Sequence, residues 1–73
     1  MEEAPLVLVE EDDGILIVTL NRPDKYNALS LAMMRTFSDA VDRLRDTPEL
    51  KVMLIRSTGK YFSAGADLGE PTR

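Results

Sequence analysis

Residues 15–20 read Ile-Leu-Ile-Val-Thr-Leu, an apolar run in which polar and apolar positions do not alternate. A strand of this composition is normally covered on both faces, as in the sheets of α/β proteins. The Asp13-Gly14 pair just before it suits a tight hairpin turn, which needs residues that accept positive φ. Together with the β-prone run at residues 6–9, this pattern predicts two antiparallel strands over residues 5–11 and 14–20.

A helix is predicted downstream of this hairpin. Ser30 is a suitable N-cap, because its hydroxyl can accept a hydrogen bond from an otherwise unpaired backbone N–H. Pro48 should end the helix, because a proline disfavours helical geometry in the residue before it. The apolar residues that recur at helical spacing predict one buried face, made of Met34, Phe37, Val41 and Leu44.

A third strand is predicted at residues 52–56, where Val-Met-Leu-Ile opens another continuous apolar run. Strand, helix and strand in this order form a βαβ unit, in which the two strands are parallel and the crossover is right-handed. The strands are apolar on both faces, and the chain offers only one helix of useful length to cover them. We therefore expect the sheet to need a second covering layer.

The composition removes several kinds of chemistry. The 73 residues include no cysteine and no histidine, so the chain can hold no disulfide, no thiolate or imidazole metal site and no Ser-His-Asp triad of its own. No metal site is expected. Residues 1–21 carry six acids and no base, whereas residues 22–73 carry nine bases and seven acids. The overall acidic balance argues against non-specific nucleic-acid binding, while the later segment can still accept a polyanionic ligand.

The chain has the features of a protein that works in the cytoplasm. Its N-terminus opens with two glutamates, where a signal peptide would need a basic region followed by an apolar stretch. No wholly aliphatic run exceeds four residues, the length of residues 15–18, which is too short to cross a bilayer. We therefore expect no membrane association and a cytoplasmic location.

The turn at residues 62–68 is the first candidate site. It follows a buried strand, and α/β sheets bind their ligands at the carboxyl ends of such strands. Ala64, Gly65 and Ala66 have almost no side chain, so a ligand can approach the backbone and its N–H groups can stabilise a developing oxyanion. Taken alone, the Ala-Gly-Ala pattern is better explained by tight packing of the turn on a neighbouring element, because short motifs have many false positives.

The loop at residues 21–27 is the second candidate. Parallel strands place their carboxyl ends at the same edge of a sheet, so this loop and the turn should be neighbours. Arg22 and Lys25 would put two cations beside the crevice between them, which suits a phosphorylated ligand. The alternative is that both are ordinary solvated loop charges.

Two motifs resemble a known family. Residues 17–23, Ile-Val-Thr-Leu-Asn-Arg-Pro, followed by Asn-Ala-Leu-Ser at 27–30, are similar to the opening of crotonases. Residues 62–68, Phe-Ser-Ala-Gly-Ala-Asp-Leu, resemble the first oxyanion-hole motif of the same family. The resemblance implies an α/β fold that is the N-terminal part of a crotonase-like (ClpP/crotonase) ββα spiral. Residues 1–73 would then be the incomplete N-terminal portion of a single domain, whether a truncated product, a proteolytic fragment or one part of a noncovalent whole.

The resemblance also implies roles for individual residues. The backbone N–H of Ala66 would donate to the thioester oxygen as one half of the oxyanion hole. The backbone around Ala64 would contact the adenine end of coenzyme A, and the loop after Asn-Arg-Pro would lie beside the nucleotide and pantetheine. Asp67 is more often structural at this position, where it caps the following helix. The residues expected in or around the CoA site are Arg22, Lys25, Tyr26, Ala64, Gly65, Ala66, Asp67 and Leu68.

The function implied is that of an acyl-CoA thioester enzyme of the enoyl-CoA hydratase/isomerase type, which needs no cofactor beyond the CoA carried by its substrate. Its other partners would be the remainder of its own domain and further copies of the subunit, in a trimer or hexamer. In the family, the second oxyanion donor and the catalytic carboxylates lie farther along the chain, so residues 1–73 alone should be inactive and the reaction is not fixed. A non-catalytic crotonase-like module that binds CoA or a protein is the alternative.

Overall fold

The fold is seen in a computed structural model that describes residues 5–67. It opens with a hairpin of two strands, β1 (Val7–Asp12) and β2 (Ile15–Leu20), which pair antiparallel from Val7 opposite Leu20 to Asp12 opposite Ile15. The two residues between the strands, Asp13 and Gly14, both have positive φ, at 52° and 82°. This is the geometry of a two-residue type I′ turn, and it confirms the predicted hairpin.

The hairpin strands are shifted slightly from the predicted bounds. β1 begins two residues later than expected, because Pro5 and Leu6 lie beside Asn21 and use only their carbonyls there, accepting from its side-chain and backbone N–H groups. The strand also runs one residue farther, to Asp12, because the two-residue turn pairs Asp12 with Ile15.

The helix α1 (Leu31–Asp46) has the predicted ends. Ser30 precedes it in extended geometry, and its Oγ accepts a hydrogen bond from the Met33 N–H at 3.2 Å. The residue after the helix, Thr47, is again extended and stands before Pro48. The N-cap and the proline stop that were predicted from sequence are both confirmed.

The buried face of the helix is rotated from the predicted one by one residue at two of its positions. Met33 and Ala40 are buried and Phe37 and Leu44 pack partly against the core, whereas Met34 and Val41 are 41% and 42% exposed. The prediction was therefore wrong for these last two residues. The helix packs on β1 and β2, and the small Ala40 side chain faces them, so the contacting stripe follows 33, 37, 40 and 44.

The third strand, β3 (Val52–Ser57), pairs parallel with β2, from Ile15 opposite Val52 to Leu20 opposite Ser57. The sheet order is β1-β2-β3, so the predicted βαβ unit with parallel strands is confirmed. The core lies between the sheet and the helix, and its buried apolar members are Val7, Leu16, Val18, Leu20, Met33, Ala40 and Leu50. Both β2 and β3 end at the same edge of the sheet, where the two candidate segments begin.

Much of the sheet is left uncovered by the described residues. The single helix covers β1 and β2, and β3 exposes Val52, Leu54 and Ile55. On the face of the sheet away from the helix, Ile15 stands beside Val52 and Ile17 beside Leu54. This agrees with the expectation that the sheet needs a second layer. Nowhere in residues 5–67 is there a helix long and apolar enough to cross a membrane.

Candidate functional site

The loop after β2 and the turn after β3 pack against each other at the carboxyl edge of the sheet. Leu29 and Ala66 form a parallel β-bridge. In it, the Leu29 N–H donates to the Gly65 carbonyl at 2.8 Å and the Asp67 N–H donates to the Leu29 carbonyl at 3.0 Å. The prediction that loop and turn are neighbours is therefore confirmed.

Asn27 is the hub of this contact, and sequence reasoning missed its role. It is fully buried and has a φ of 56°, in the left-handed region that asparagine tolerates better than most residues. Its Oδ1 accepts from the Arg22 N–H at 2.7 Å, while its Nδ2 donates to the carbonyls of Thr58 at 2.7 Å and Tyr61 at 2.8 Å. One side chain thus joins the loop to the turn.

Ser63 is the second connecting residue. Its Oγ donates to the Asn27 carbonyl at 2.8 Å and accepts from the Gly65 N–H at 3.0 Å. The Ala64 N–H donates to the Tyr26 carbonyl at 2.9 Å. The backbone donors of Ala64 and Gly65 are thus already used within the protein.

The Ala66 N–H is in a different position. In this parallel bridge, Leu29 makes both hydrogen bonds, to the residues on either side of Ala66, so the Ala66 N–H points away from Leu29. None of the hydrogen bonds seen among residues 5–67 uses the Ala66 N–H, and Ala66 is exposed. This arrangement leaves a backbone donor free for a ligand at the carboxyl edge of the sheet. That it donates to a thioester oxygen stays a prediction.

The Arg22 side chain does not extend as a free cation beside the crevice, as the sequence suggested, but makes contacts within the protein. Its Nη1 donates to the Ala28 carbonyl at 3.1 Å and to Asp67 Oδ2 at 2.9 Å, and the two ionic side chains are only 18% and 21% exposed. The expectation of an accessible cation for a phosphorylated ligand therefore does not describe Arg22, because its guanidinium is drawn inward by a carboxylate and a carbonyl. The expected helix cap by Asp67 concerns residues after 67, which lie outside the described part of the chain, as does Leu68.

An open hollow of about 420 Å³ adjoins the turn, lined by Tyr26, Tyr61, Ser63 and Ala64. The two tyrosine rings meet edge to face, with centroids 5.3 Å apart, and both are more than half exposed. Lys25 precedes Tyr26 in a short 3-10 helix (Pro23–Lys25) and is exposed, and no ion pair among residues 5–67 includes it. Two aromatic rings therefore line the hollow beside the backbone of Ala64, and Lys25 is the chain neighbour of one of them.

A second hollow, of about 420 Å³ and almost wholly apolar, lies on the other side of Ser63 between α1 and β3. It is lined by Leu20, Leu29, Met33, Met34, Phe37, Ile55, Phe62 and Ser63. It adjoins the uncovered part of β3. The exposed Met34, which the sequence assigned to the core, is one of its walls.

Comparison with known proteins agrees with this geometry. Residues 10–73 match the enoyl-CoA hydratase/isomerase family, and the chain belongs to that family. It is 42% identical over all 73 residues to the enoyl-CoA hydratase EchA19 of Mycobacterium tuberculosis, and 41% identical over 64 residues to the hydroxycinnamoyl-CoA hydratase-lyase of Pseudomonas fluorescens. These matches cover 100% and 88% of the chain, and 27% and 23% of the two relatives.

The fold is also shared with solved structures. A probable enoyl-CoA hydratase/isomerase from Mycobacterium abscessus superimposes with a TM-score of 0.88 at 39% identity, over 92% of this chain and 27% of that one. The chain is therefore an α/β unit with the crotonase fold, and it spans about a quarter of the length of the relatives that it matches.

Proposed function

We propose that this chain contributes one oxyanion donor and part of the coenzyme A site to an acyl-CoA thioester enzyme of the hydratase/isomerase type. The observation that carries the proposal is the Ala66 N–H, which points away from Leu29 at the carboxyl edge of the sheet and has no hydrogen-bond partner among residues 5–67. In reactions through a thioester enolate, negative charge grows on the carbonyl oxygen, and a fixed N–H stabilises it more than it stabilises the ground state.

The hollow beside Ala64 suits the nucleotide end of coenzyme A. Adenine is a flat aromatic group, and the exposed rings of Tyr26 and Tyr61 offer apolar surface for it. Lys25, which makes no ion pair within residues 5–67, would add a cation for the phosphates. The turn from Ala64 to Ala66 then runs from the proposed nucleotide contact to the proposed oxyanion donor, so one segment would contact both the adenine end and the thioester end of an acyl-CoA. No cofactor beyond this CoA group is proposed.

Lys25→Ala is expected to weaken CoA binding about 3- to 10-fold at low salt, with a smaller loss at high salt, because solvent screens an exposed charge. The measurement is isothermal titration of CoA at two ionic strengths, using the full gene product that carries residues 1–73. Lys51→Ala is the matched control, since Lys51 is also exposed but lies at the opposite end of β3. Equal losses in both variants would return Lys25 to the role of a solvated charge.

The apolar hollow between α1 and β3 and the bare side of β3 are proposed to be covered by further chain of the same domain. The relatives are nearly four times as long as the matched segment, and the described residues leave a sheet face and a hollow with no covering layer. An uncovered apolar surface of this kind marks a missing partner or an aggregation hazard.

A peptide of residues 1–73 alone is therefore expected to melt without cooperativity or to aggregate. A small core seldom contributes more than roughly 3–5 kcal/mol, and here part of the apolar surface stays in water. Far-UV circular dichroism during a thermal melt measures this, and co-expression with the segment of EchA19 that follows its matched part is the rescue. A soluble monomer with a sharp melt would contradict the need for a second layer.

The direct test of the activity is to assay the full gene product for the hydration and the double-bond isomerisation of enoyl-CoA thioesters. Turnover by either reaction supports the enzyme. CoA binding without any turnover would favour the non-catalytic binding module instead. We further propose a trimer or hexamer, measurable by sedimentation, and a cytoplasmic location. Residues 1–73 by themselves are expected to show no turnover.

A further inference from the structure

The Arg22–Asp67 ion pair is joined to both strands of the Leu29–Ala66 bridge. The same guanidinium nitrogen, Nη1, contacts the carbonyl of Ala28, the residue before Leu29, and the carboxylate of Asp67, the residue after Ala66. Arg22 itself follows β2 closely, and its backbone N–H is held by Asn27 Oδ1 at 2.7 Å. The pair therefore ties the end of a core strand to the two segments that set the direction of the Ala66 N–H.

The two neighbours of Ala66 are held in different ways. Gly65 has a φ of 94° and open space where a Cβ would lie, so it is held by hydrogen bonds alone: its N–H donates to Ser63 Oγ, and its carbonyl accepts from the Leu29 N–H. On the other side, Asp67 is held through its backbone N–H by Leu29 and through its carboxylate by Arg22. The low exposure of the pair favours a well-defined geometry, since solvent screens it less than a surface pair.

We propose that Arg22 is a positioning residue that acts through Asp67 to fix the direction of the Ala66 N–H. The proposal rests on the proposed function, in which that N–H is the oxyanion donor. Arg22 does not touch the substrate in this account. Through Asp67, it holds the peptide whose N–H, that of Ala66, contacts the substrate. A donor displaced by about 1 Å can cost roughly 100-fold in rate.

A positioning role for Arg22 predicts different kinetic changes on substitution than a contact with the CoA phosphates does. A cation that binds the CoA phosphates would change KM and the dissociation constant of CoA when it is removed. A positioning residue would lower kcat and leave both nearly unchanged, because the donor matters most when negative charge develops on the thioester oxygen.

The experiment uses four variants of the full gene product: Arg22→Gln, Arg22→Lys, Asp67→Asn and the double variant Arg22→Gln/Asp67→Asn. We expect Arg22→Gln and Asp67→Asn each to lower kcat roughly 10- to 100-fold with CoA affinity unchanged. The double variant should be no slower than the worse single one, since the two residues act as one unit. Arg22→Lys keeps the charge and should recover part of the rate.

Arg43→Gln is the matched control, because Arg43 pairs with Glu11 near the hairpin end of the sheet and that pair is half-exposed. It should leave kcat unchanged. A thermal melt of every variant separates lost positioning from lost folding. In parallel, amide hydrogen exchange should show faster exchange at Leu29 and Asp67 in Arg22→Gln, a readout that does not depend on turnover.

The possible outcomes separate a failure of the positioning role of Arg22 from a failure of the proposed function. If Ala66→Pro abolishes turnover but Arg22→Gln keeps normal kcat, the positioning role is wrong and the proposed function stands. If Ala66→Pro has no effect, or the gene product shows no turnover at all, the proposed function fails. The positioning role is tested separately by hydrogen exchange, and unchanged exchange at Leu29 and Asp67 in Arg22→Gln would overturn it. A loss of CoA affinity in Arg22→Gln at normal kcat would make Arg22 a ligand contact.

Discussion

Ala66→Pro is expected to lower kcat about 10²- to 10³-fold, which is the range measured when one oxyanion donor is removed from other enzymes. Proline lacks the backbone N–H, and the bridge to Leu29 does not need that N–H, because its two hydrogen bonds come from the residues on either side. The affinity for CoA should change little, since the nucleotide hollow lies at Tyr26, Tyr61 and Ala64.

The control for this substitution is Ala66→Gly, which keeps the N–H and removes only a methyl group from an exposed residue. It should keep most of the rate. Steady-state kinetics of the full gene product with an enoyl-CoA thioester gives both parameters for both variants. A proline variant with near-normal kcat would count decisively against Ala66 as an oxyanion donor.

Asn27→Ala is expected to cost roughly 3–5 kcal/mol of unfolding free energy. The substitution removes three part-buried hydrogen bonds, two to the carbonyls of Thr58 and Tyr61 and one from the N–H of Arg22, and each contributes about 1 kcal/mol. The left-handed backbone at this position adds roughly 1 kcal/mol against alanine. Chemical denaturation of the full gene product measures the total.

Two further variants separate these contributions. Asn27→Gly accepts the positive φ, so the difference between the glycine and alanine variants reports the backbone strain. Asn21→Ala removes another side-chain amide in the same loop, one that bonds Pro5 and Thr58 and is partly exposed, and it should cost about 1 kcal/mol. Equal costs at the two asparagines would show that Asn27 is not the hub of the contact.

The elements of the fold could be predicted because each is encoded locally. The Asp13-Gly14 turn, the Ser30 cap and the proline after the helix act over a few residues, and the structure has all three. Which face of the helix is buried could not be predicted in the same way. Apolar residues lie on two adjacent stripes, and the choice between Met33 and Met34 depends on which strands the helix covers.

The site was predictable at the level of segments and less so at the level of side chains. Parallel strands end at one edge, which was enough to place the loop beside the turn. The role of Asn27 depends on carbonyls 31 and 34 residues away, and that of Arg22 on a carboxylate 45 residues away. No local pattern reveals such partners, so a cation expected to face a ligand is found in an internal ion pair.

Whether the Ala66 N–H binds the thioester oxygen can be measured directly by an NMR titration of the full gene product that follows single backbone amides. With an acyl-CoA thioester, the Ala66 amide proton should move downfield, while that of Gly65 should move little because it already donates to Ser63 Oγ. The Ala64 amide lies at the proposed nucleotide contact and should respond equally to the thioester and to free CoA. Free CoA, which has no thioester carbonyl, should perturb Lys25 and Tyr26 without that shift at Ala66. If Ala66 stays unmoved by the thioester while Lys25 and Tyr26 respond, or if free CoA shifts it equally, the chain does not supply an oxyanion donor at this residue.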